Sequence, residues 1–522
     1  MGGAGFGYAN QLMVTVAGLW LTPLLLARTG QHDYGLWLVG TQVLAYLMLM
    51  DFGVVALLPR ETAYAAGRAA AGGTGGELPR LVGQTARLVL WQTPLVAAAA
   101  FALWAVMPAE WEPLRLPLCV ILVSLVLTFP LRICGAVLQG LQDLEFLAEA
   151  QAAVWLVSTG LTVALVFAGW GLYALAAGWV AGQLLSAAVT FWRLRRLCPE
   201  ALPRRLARLP WESARARLAS GFWMSVNQVA VVLLVGTDVL VVGKLLGPEW
   251  VVPYACTAKL VQALANQPQM LMQLAMPALS ELRARGERER LGRVCVALGQ
   301  AMLLLSGAVV CVVLALNRGF VGWWVGAGQY GGALLTALVL LVMLLRHLNL
   351  TVGYLLFAFG LERRLAVTAV LDGLLTVGAG VALTARLGLV GAPLGAALGV
   401  CLVSLPGNLS ALARVGVVPV KVFLRALAPW GWRFAALALA SAALSRAFVP
   451  DTFTELAAVG ALVALAYALV MLQVARRDPL GVYVRPLPSA LARRVARAFG
   501  AGGGGPRKSG GEAPPLVAAA EE

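Results

Sequence analysis

The sequence predicts an all-α polytopic membrane protein of about 14 transmembrane helices, arranged as two parallel six-helix repeats plus two additional C-terminal helices. Three observations predict it. The 522 residues are 60% hydrophobic and only 12% charged, far from the composition of soluble domains. Apolar stretches of about 20 residues, each long enough to cross a ~30 Å hydrocarbon core, recur almost end to end. One segment also occurs twice in the same orientation. F-G-Y-A-N-Q from Phe6, then Gly30, Tyr34 and Pro59, reappear as F-W-M-S-V-N-Q from Phe222, then Gly247, Tyr254 and Pro277. The spacing from Asn10 to Gly30 equals that from Asn227 to Gly247. Paired half-units of this kind place a substrate site between them.

The first repeat takes spans near 6–27, 35–57, 84–107, 116–139, 148–169 and 171–192. Many spans follow the first, so it reads as a span and not as a cleaved signal peptide. Residues 1–192 form an N-terminal six-helix bundle and 193–220 a basic cytoplasmic linker. The linker's R-L-P-W-E-S-A-R-A-R-L can form an amphipathic helix on an anionic leaflet, but it reads first as an orientation-setting segment. The second repeat, 221–412, takes spans near 221–246, 251–279, 293–316, 333–358, 365–385 and 388–412. Two further spans near 430–448 and 455–475 occupy 413–475, and 476–522 is a cytoplasmic tail, disordered from about residue 500 by its Gly/Pro/Ala content.

The formal charge of +16 suggests a polyanion partner until it is placed on the loops. Loops after even-numbered spans carry most of the arginines, from Arg60, Arg68 and Arg80 through Arg193–Arg217 and Arg283–Arg293 to the tail. Loops after odd-numbered spans hold only Arg28, Arg115, Arg318, Arg386 and Arg446. This asymmetry puts both termini in the cytoplasm and makes the basic charge a matter of topology, so no nucleic acid is expected as a partner. The seven cysteines share no ligand spacing and there are only two histidines, so neither a metal centre nor a cofactor is expected. Short outward loops, no folded soluble domain, no phosphate-binding glycine loop and no paired carboxylates outside the membrane argue against an enzyme and against an ATP-driven pump.

Several stretches resemble one family. Y-G-L-W-L-V-G-T-Q-V-L-A-Y-L-M-L-M-D-F-G (34–53) with P-R-E-T-A (59–63) is similar to its second helix, and T-D-V-L-V-V-G-K-L-L-G (237–247) with M-P-A-L-S-E-L (276–282) to its seventh and eighth. W-W-V-G-A-G-Q-Y (323–330) resembles the outward loop before helix ten, and G-L-V-G-A-P-L-G-A-A-L-G (388–399) the start of helix twelve. These motifs follow in order over roughly residues 1–415 and resemble the O-antigen-type polysaccharide flippases of the multidrug/oligosaccharidyl-lipid/polysaccharide exporter superfamily. The resemblance implies two bundles facing each other as a V, alternating access, and export of a polyprenyl-pyrophosphate-linked oligosaccharide across the bacterial cytoplasmic membrane for surface polysaccharide. It also implies that the last two helices help hold the lipid tail. Expected partners are the lipid-linked oligosaccharide, membrane lipids and a polysaccharide polymerase, with the transporter acting as a monomer. A cation-coupled multidrug exporter and a peptidoglycan lipid-precursor flippase are the alternatives. The latter type carries arginines early in its first two helices, whereas Arg28 and Arg60 lie at span ends.

Charges at membrane depth are costly and usually face a cavity. A carrier pyrophosphate needs cations, and the planar fork of arginine suits phosphate oxygens. Arg346 and Lys259 are therefore the leading pyrophosphate contacts, with Arg132 third. Each has an alternative role in an ion pair within its own bundle, Lys259 with Asp238 for example. Span 8 carries Gln262, Asn266, Gln269 and Gln273 on one helical face around Pro268, which is expected to kink the helix. The stripe suits sugar hydroxyls, with interhelical hydrogen bonding as the plainer role. Asp51, Asp238 and Asp372 are candidates for coupling H⁺ or Na⁺. His347 reads as a satisfied interior histidine. Asn10-Gln11 and Asn227-Gln228 are either a gate or a cap. Without an ATP motif the drive is a gradient or the substrate's charge; two negative charges moving outward gain on the order of 4–5 kcal/mol per 100 mV.

Overall fold

The computed structural model describes residues 17–70, 76–199, 210–416 and 418–485, and every regular element among them is a helix. The first half comprises α1 (17–29), α2 (Gln31–Leu47), α3 (Val54–Ala70), α4 (Glu77–Ala105), α5 (Glu112–Thr128), α6 (Arg132–Gly140), α7 (Leu144–Phe167) and α8 (Leu172–Leu197). The second comprises α9 (Trp211–Val235), α10 (Thr237–Leu245), α11 (Pro248–Ala284), α12 (Arg288–Val325), α13 (Ala333–Ala358), α14 (Glu362–Leu387), α15 (Gly391–Gly399) and α16 (Leu405–Val415). Two more long helices follow, α17 (Val420–Ala447) and α18 (Phe453–Ala475), and then a single turn, α19 (Gly481–Val484).

Eight helical runs are long and apolar enough to cross a membrane, or ten if two bent pairs each count as one span. The chain is a multi-pass membrane protein, and the excess of the predicted count has physical reasons. Part of the first predicted span lies outside the described residues. In α11, Lys259 and a run of Gln and Asn dilute the apolarity, as do Lys421, Arg425 and Arg433 in α17. Residues 362–415 count as one run but double back on themselves. A Cβ on Gly391 would meet Thr384, one on Gly395 would meet Gly380, and one on Gly399 would meet Thr376 and Asp372, so α15 lies antiparallel on α14.

The breaks also fall where sequence reading did not put them. Gln31–Met50 meets Val54–Arg68 at 52°, and Gln228–Leu234 meets Thr237–Leu245 at 48°. The first bend turns on Phe52 and Gly53 at φ 49° and 69°, a left-handed conformation that glycine adopts freely and phenylalanine rarely. The second turns on Gly236, where a Cβ would lie 1.8 Å from Gln42 Nε2. Pro268, where a kink is expected, lies within α11, which runs as one α-helix through that residue.

The repeated glycines play the same part in both halves. Gly30 (φ 84°) and Gly247 (φ 105°) each stand at the N-cap of the following helix. Beyond them the halves meet in an apolar seam at the end that the basic-loop asymmetry assigns to the outside. Leu25, Tyr34 and Val39 of the first half pack with Val252 and Val251 of the second. Gln31 Nε2 donates to the Glu249 carbonyl (2.8 Å), Gln329 Nε2 donates to Gln31 Oε1 (2.9 Å), and His32 faces Glu249 at 3.6 Å. Contact is closest where Gly35 meets Pro248: a Cβ there would sit 1.9 Å from the Pro248 carbonyl oxygen.

The last two helices are keyed onto α12. Gly299 admits Phe423, Gly307 admits Tyr467 and Trp430, and Gly319 admits Pro450. Trp430 Nε1 donates to the Tyr467 hydroxyl (3.1 Å), which donates to the Leu304 carbonyl (2.9 Å). Gln300 donates to the Ala426 carbonyl (3.0 Å) and accepts from Leu480 N–H (3.3 Å). Thr452 caps α18 by accepting from Glu455 N–H.

Candidate substrate cavity

A cavity of about 440 Å³ lies between the halves. The first half contributes Thr22 and Tyr34, whose hydroxyls approach to 3.3 Å, and Gln42 beside Gly236. The second half contributes the charged and amide groups from α10, α11 and α13. The two repeat tyrosines, Tyr34 and Tyr254, both line the cavity, and each reaches back to the helix before it.

Five of the residues singled out from sequence come together here: Arg346, Lys259, Gln262, Gln269 and Asp238. On α13, Arg346 Nη1 lies 3.4 Å from Asp372 Oδ2, while its Nε and Nη2 are buried without an acceptor. Lys259 reaches from α11 towards α1, with Nζ 3.8 Å from where a Gly18 Cβ would be. Among the described residues no carboxylate lies within 4.0 Å of it. Asp238 instead accepts from the Tyr254 hydroxyl at 2.8 Å. Asp372 is fully buried, beside the cavity and not on its wall, and accepts from Thr376 (3.0 Å) and Ser404 (2.5 Å) as well as facing Arg346.

Other candidates are placed elsewhere. Arg132 is not brought to the cavity: its Nη1 donates to the Met48 carbonyl (3.1 Å) and its guanidinium lies 5.6 Å from the Phe129 ring, inside the first half. Of the α11 stripe, Gln262 and Gln269 line the cavity, with Ala265 between them, whereas Asn266 is not part of the wall. The side chains of Gln273, Asp51 and Asn227, and all of Asn10 and Gln11, lie outside the described residues. His347 also lines the cavity, with Nδ1 2.7 Å from Ser306 and Nε2 3.3 Å from Gln269. Sequence reading missed Ser404 and Thr376, because isolated hydroxyls are common in membrane helices. Their nearest signal was the glycine series at 391, 395 and 399, which brings α15 against α14.

What the arrangement can do follows from its unused capacity. The formal charges of Arg346 and Lys259 are balanced by Asp238 and Asp372. Both carboxylates, however, already accept hydrogen bonds from protein donors, while Nε and Nη2 of Arg346 remain unmet among the described residues. A buried donor without an acceptor is costly, so the cavity is set to receive acceptor oxygens or an anion.

Residues 97–342 match the family model of a polysaccharide biosynthesis protein. An uncharacterized membrane protein of Bacillus subtilis, EpsK, is 22% identical over 402 residues, covering 75% of this chain and 78% of that one. Among solved structures, the lipid II flippase MurJ in an inward closed conformation superposes with a TM-score of 0.58 at 12% identity, over 89% of this chain and all of MurJ. An inward-facing multidrug resistance MATE family transporter of the MOP superfamily superposes with a TM-score of 0.60 at 12% identity, over 80% of this chain and 96% of that one.

Proposed function

We propose that this chain is a membrane exporter akin to the polysaccharide flippases of the multidrug/oligosaccharidyl-lipid/polysaccharide superfamily, and that it carries a polyprenyl-pyrophosphate-linked oligosaccharide from the inner to the outer leaflet. The supporting observation is the central cavity with N–H groups on Arg346 unmet among the described residues, and with Lys259 lining it from α11. In this reading Arg346 and Lys259 hold the diphosphate, Gln262 and Gln269 hold sugar hydroxyls, and the lipid tail stays in the bilayer. Residues 1–192 and 221–412 act as the two moving bundles, with 193–220 as a cytoplasmic linker and both termini in the cytoplasm. The closed outer seam makes this state one that receives substrate from the inner side.

A cation-coupled drug exporter needs an acidic cavity for its cargo, but Asp372 is occupied by Thr376, Ser404 and Arg346, and Asp238, which accepts from Tyr254, shares the cavity wall with Arg346 and Lys259. A lipid-precursor flippase with arginines in its first two helices is favoured no better. Arg28 stacks on Phe167 at 4.6 Å and Arg60 on Tyr64 at 5.5 Å, and neither lines the cavity. The deciding experiment is deletion of the gene with mass spectrometry of lipid-linked glycans. Accumulated carrier-linked repeat units with lost surface polymer support the proposal; unchanged pools with new sensitivity to cationic compounds overturn it.

A further inference from the structure

The helical run after α15 changes its winding beside Arg346. Residues Val400–Ser404 form a π-helical turn between α15 and α16. In an α-helix at about 100° per residue, a side chain five positions on points roughly 140° away from the first. A π turn, closed by i→i+5 bonds, stacks those two positions instead. Gly399 and Ser404 are five apart, and both face Asp372. A Cβ on Gly399 would lie 2.3 Å from Asp372 Oδ1, and Ser404 Oγ donates to Asp372 Oδ2 at 2.5 Å. The glycine makes the room and the π turn supplies the donor.

Asp372 is thereby held from three directions. Thr376 on its own helix donates to Oδ1, Ser404 donates to Oδ2, and Arg346 Nη1 lies 3.4 Å from the same Oδ2. The carboxylate is fully buried and cannot swing without losing both hydroxyls. It engages one corner of the guanidinium and leaves Nε and Nη2 without acceptors. A carboxylate that paired with Arg346 through two parallel bonds would consume that fork.

We infer that Ser404, presented by the π turn at Val400–Ser404, and Thr376 are positioning residues that fix Asp372 so that Arg346 offers its free N–H groups to the anionic ligand. The inference rests on the reading of Arg346 as a diphosphate contact. Loss of a hydroxyl lets Asp372 turn onto Arg346, so the guanidinium is taken up by its own counter-ion.

The test uses purified full-length protein and farnesyl diphosphate as probe, with Kd and Tm measured for each variant. Ser404→Ala is expected to weaken binding roughly tenfold or more, the order of a hydrogen bond to a charged group. Ser404→Thr, which keeps the hydroxyl, retains wild-type affinity. Arg346→Gln weakens binding more, and adding Ser404→Ala to it produces no further loss, because the effect passes through Arg346. Unchanged binding in Ser404→Ala, or a loss that persists in full in the Arg346→Gln background, overturns the positioning role while leaving the diphosphate reading intact. Wild-type binding by a folded Arg346→Gln protein overturns the diphosphate reading, and with it this inference. Should Ser404→Ala not fold, Thr376→Ala removes the other hydroxyl from the same carboxylate and must show the same dependence on Arg346.

Discussion

Arg346 and Asp372 behave as one unit, and the pair carries a stability prediction separate from transport. Removing one partner from a buried ion pair costs about 3–5 kcal/mol, and removing both costs much less. Arg346 keeps a fifth of its side chain exposed, so the lower end of that range applies. Asp372→Asn is therefore expected to lower the midpoint of thermal unfolding in detergent, and Asp372→Asn with Arg346→Gln to recover most of the loss. A double variant no more stable than the single one shows that the two side chains are not coupled. At this scale the sequence was partly legible. Lys259 and Arg346 stood out because a charge in an apolar span is rarely idle. The same rule failed for Arg132, since a charge in a span says nothing about which side of the helix it occupies. Asp372 and Arg346 were each visible, but their contact joins positions 26 apart on different helices, and only packing reveals it.

Glycines decide how closely the helices approach, and so where the halves can meet. Gly35→Ala would drive a methyl group onto the Pro248 carbonyl oxygen, 1.9 Å away, a backbone contact that no rotamer change relieves. The variant is expected to part α2 from α11 and to bias the protein towards the outward-open state. Labelling of a cysteine introduced at Gln262 by a membrane-impermeant reagent from outside should then rise several-fold; unchanged labelling shows that this contact does not set the equilibrium. Helix positions were readable from apolar length, and the four-residue spacing of Gly391, Gly395 and Gly399 was plain on the page. The breaks were not. Proline at 268 lies inside the single helix α11, while the two bent breaks between helices fall at Phe52–Gly53 and at Gly236. Glycine allows a bend without announcing one, whereas membrane helices absorb proline.

Across the whole molecule the outer seam joins the halves through a few side chains that the proposed alternating access must separate. Gln31→Cys with Gln329→Cys, in a background lacking the native cysteines, places two thiols where the amides now meet. A short thiol–thiol cross-linker is expected to abolish transport in vesicles, and a cleavable linker to restore it on reduction. Full activity in the cross-linked protein would mean the seam does not open. The parallel repeat was the part of the architecture most readable from sequence, because Gly30 and Gly247 are needed at positive φ in both halves. The fastening of α17 and α18 was not readable, since it depends on glycines scattered along a helix of 38 residues. That fastening bears on how the protein is made. Chains emerge N-terminus first and tend to fold in that order. Until α17 and α18 arrive, the grooves at Gly299, Gly307 and Gly319, together with the amide of Gln300, have nothing against them. The second half is thus finished only by helices that leave the ribosome after it. A chain stopped after Val415 should reach the membrane, leave α12 uncovered and be cleared by proteolysis, while a version completed by separately expressed 416–522 should persist; pulse–chase labelling distinguishes the two.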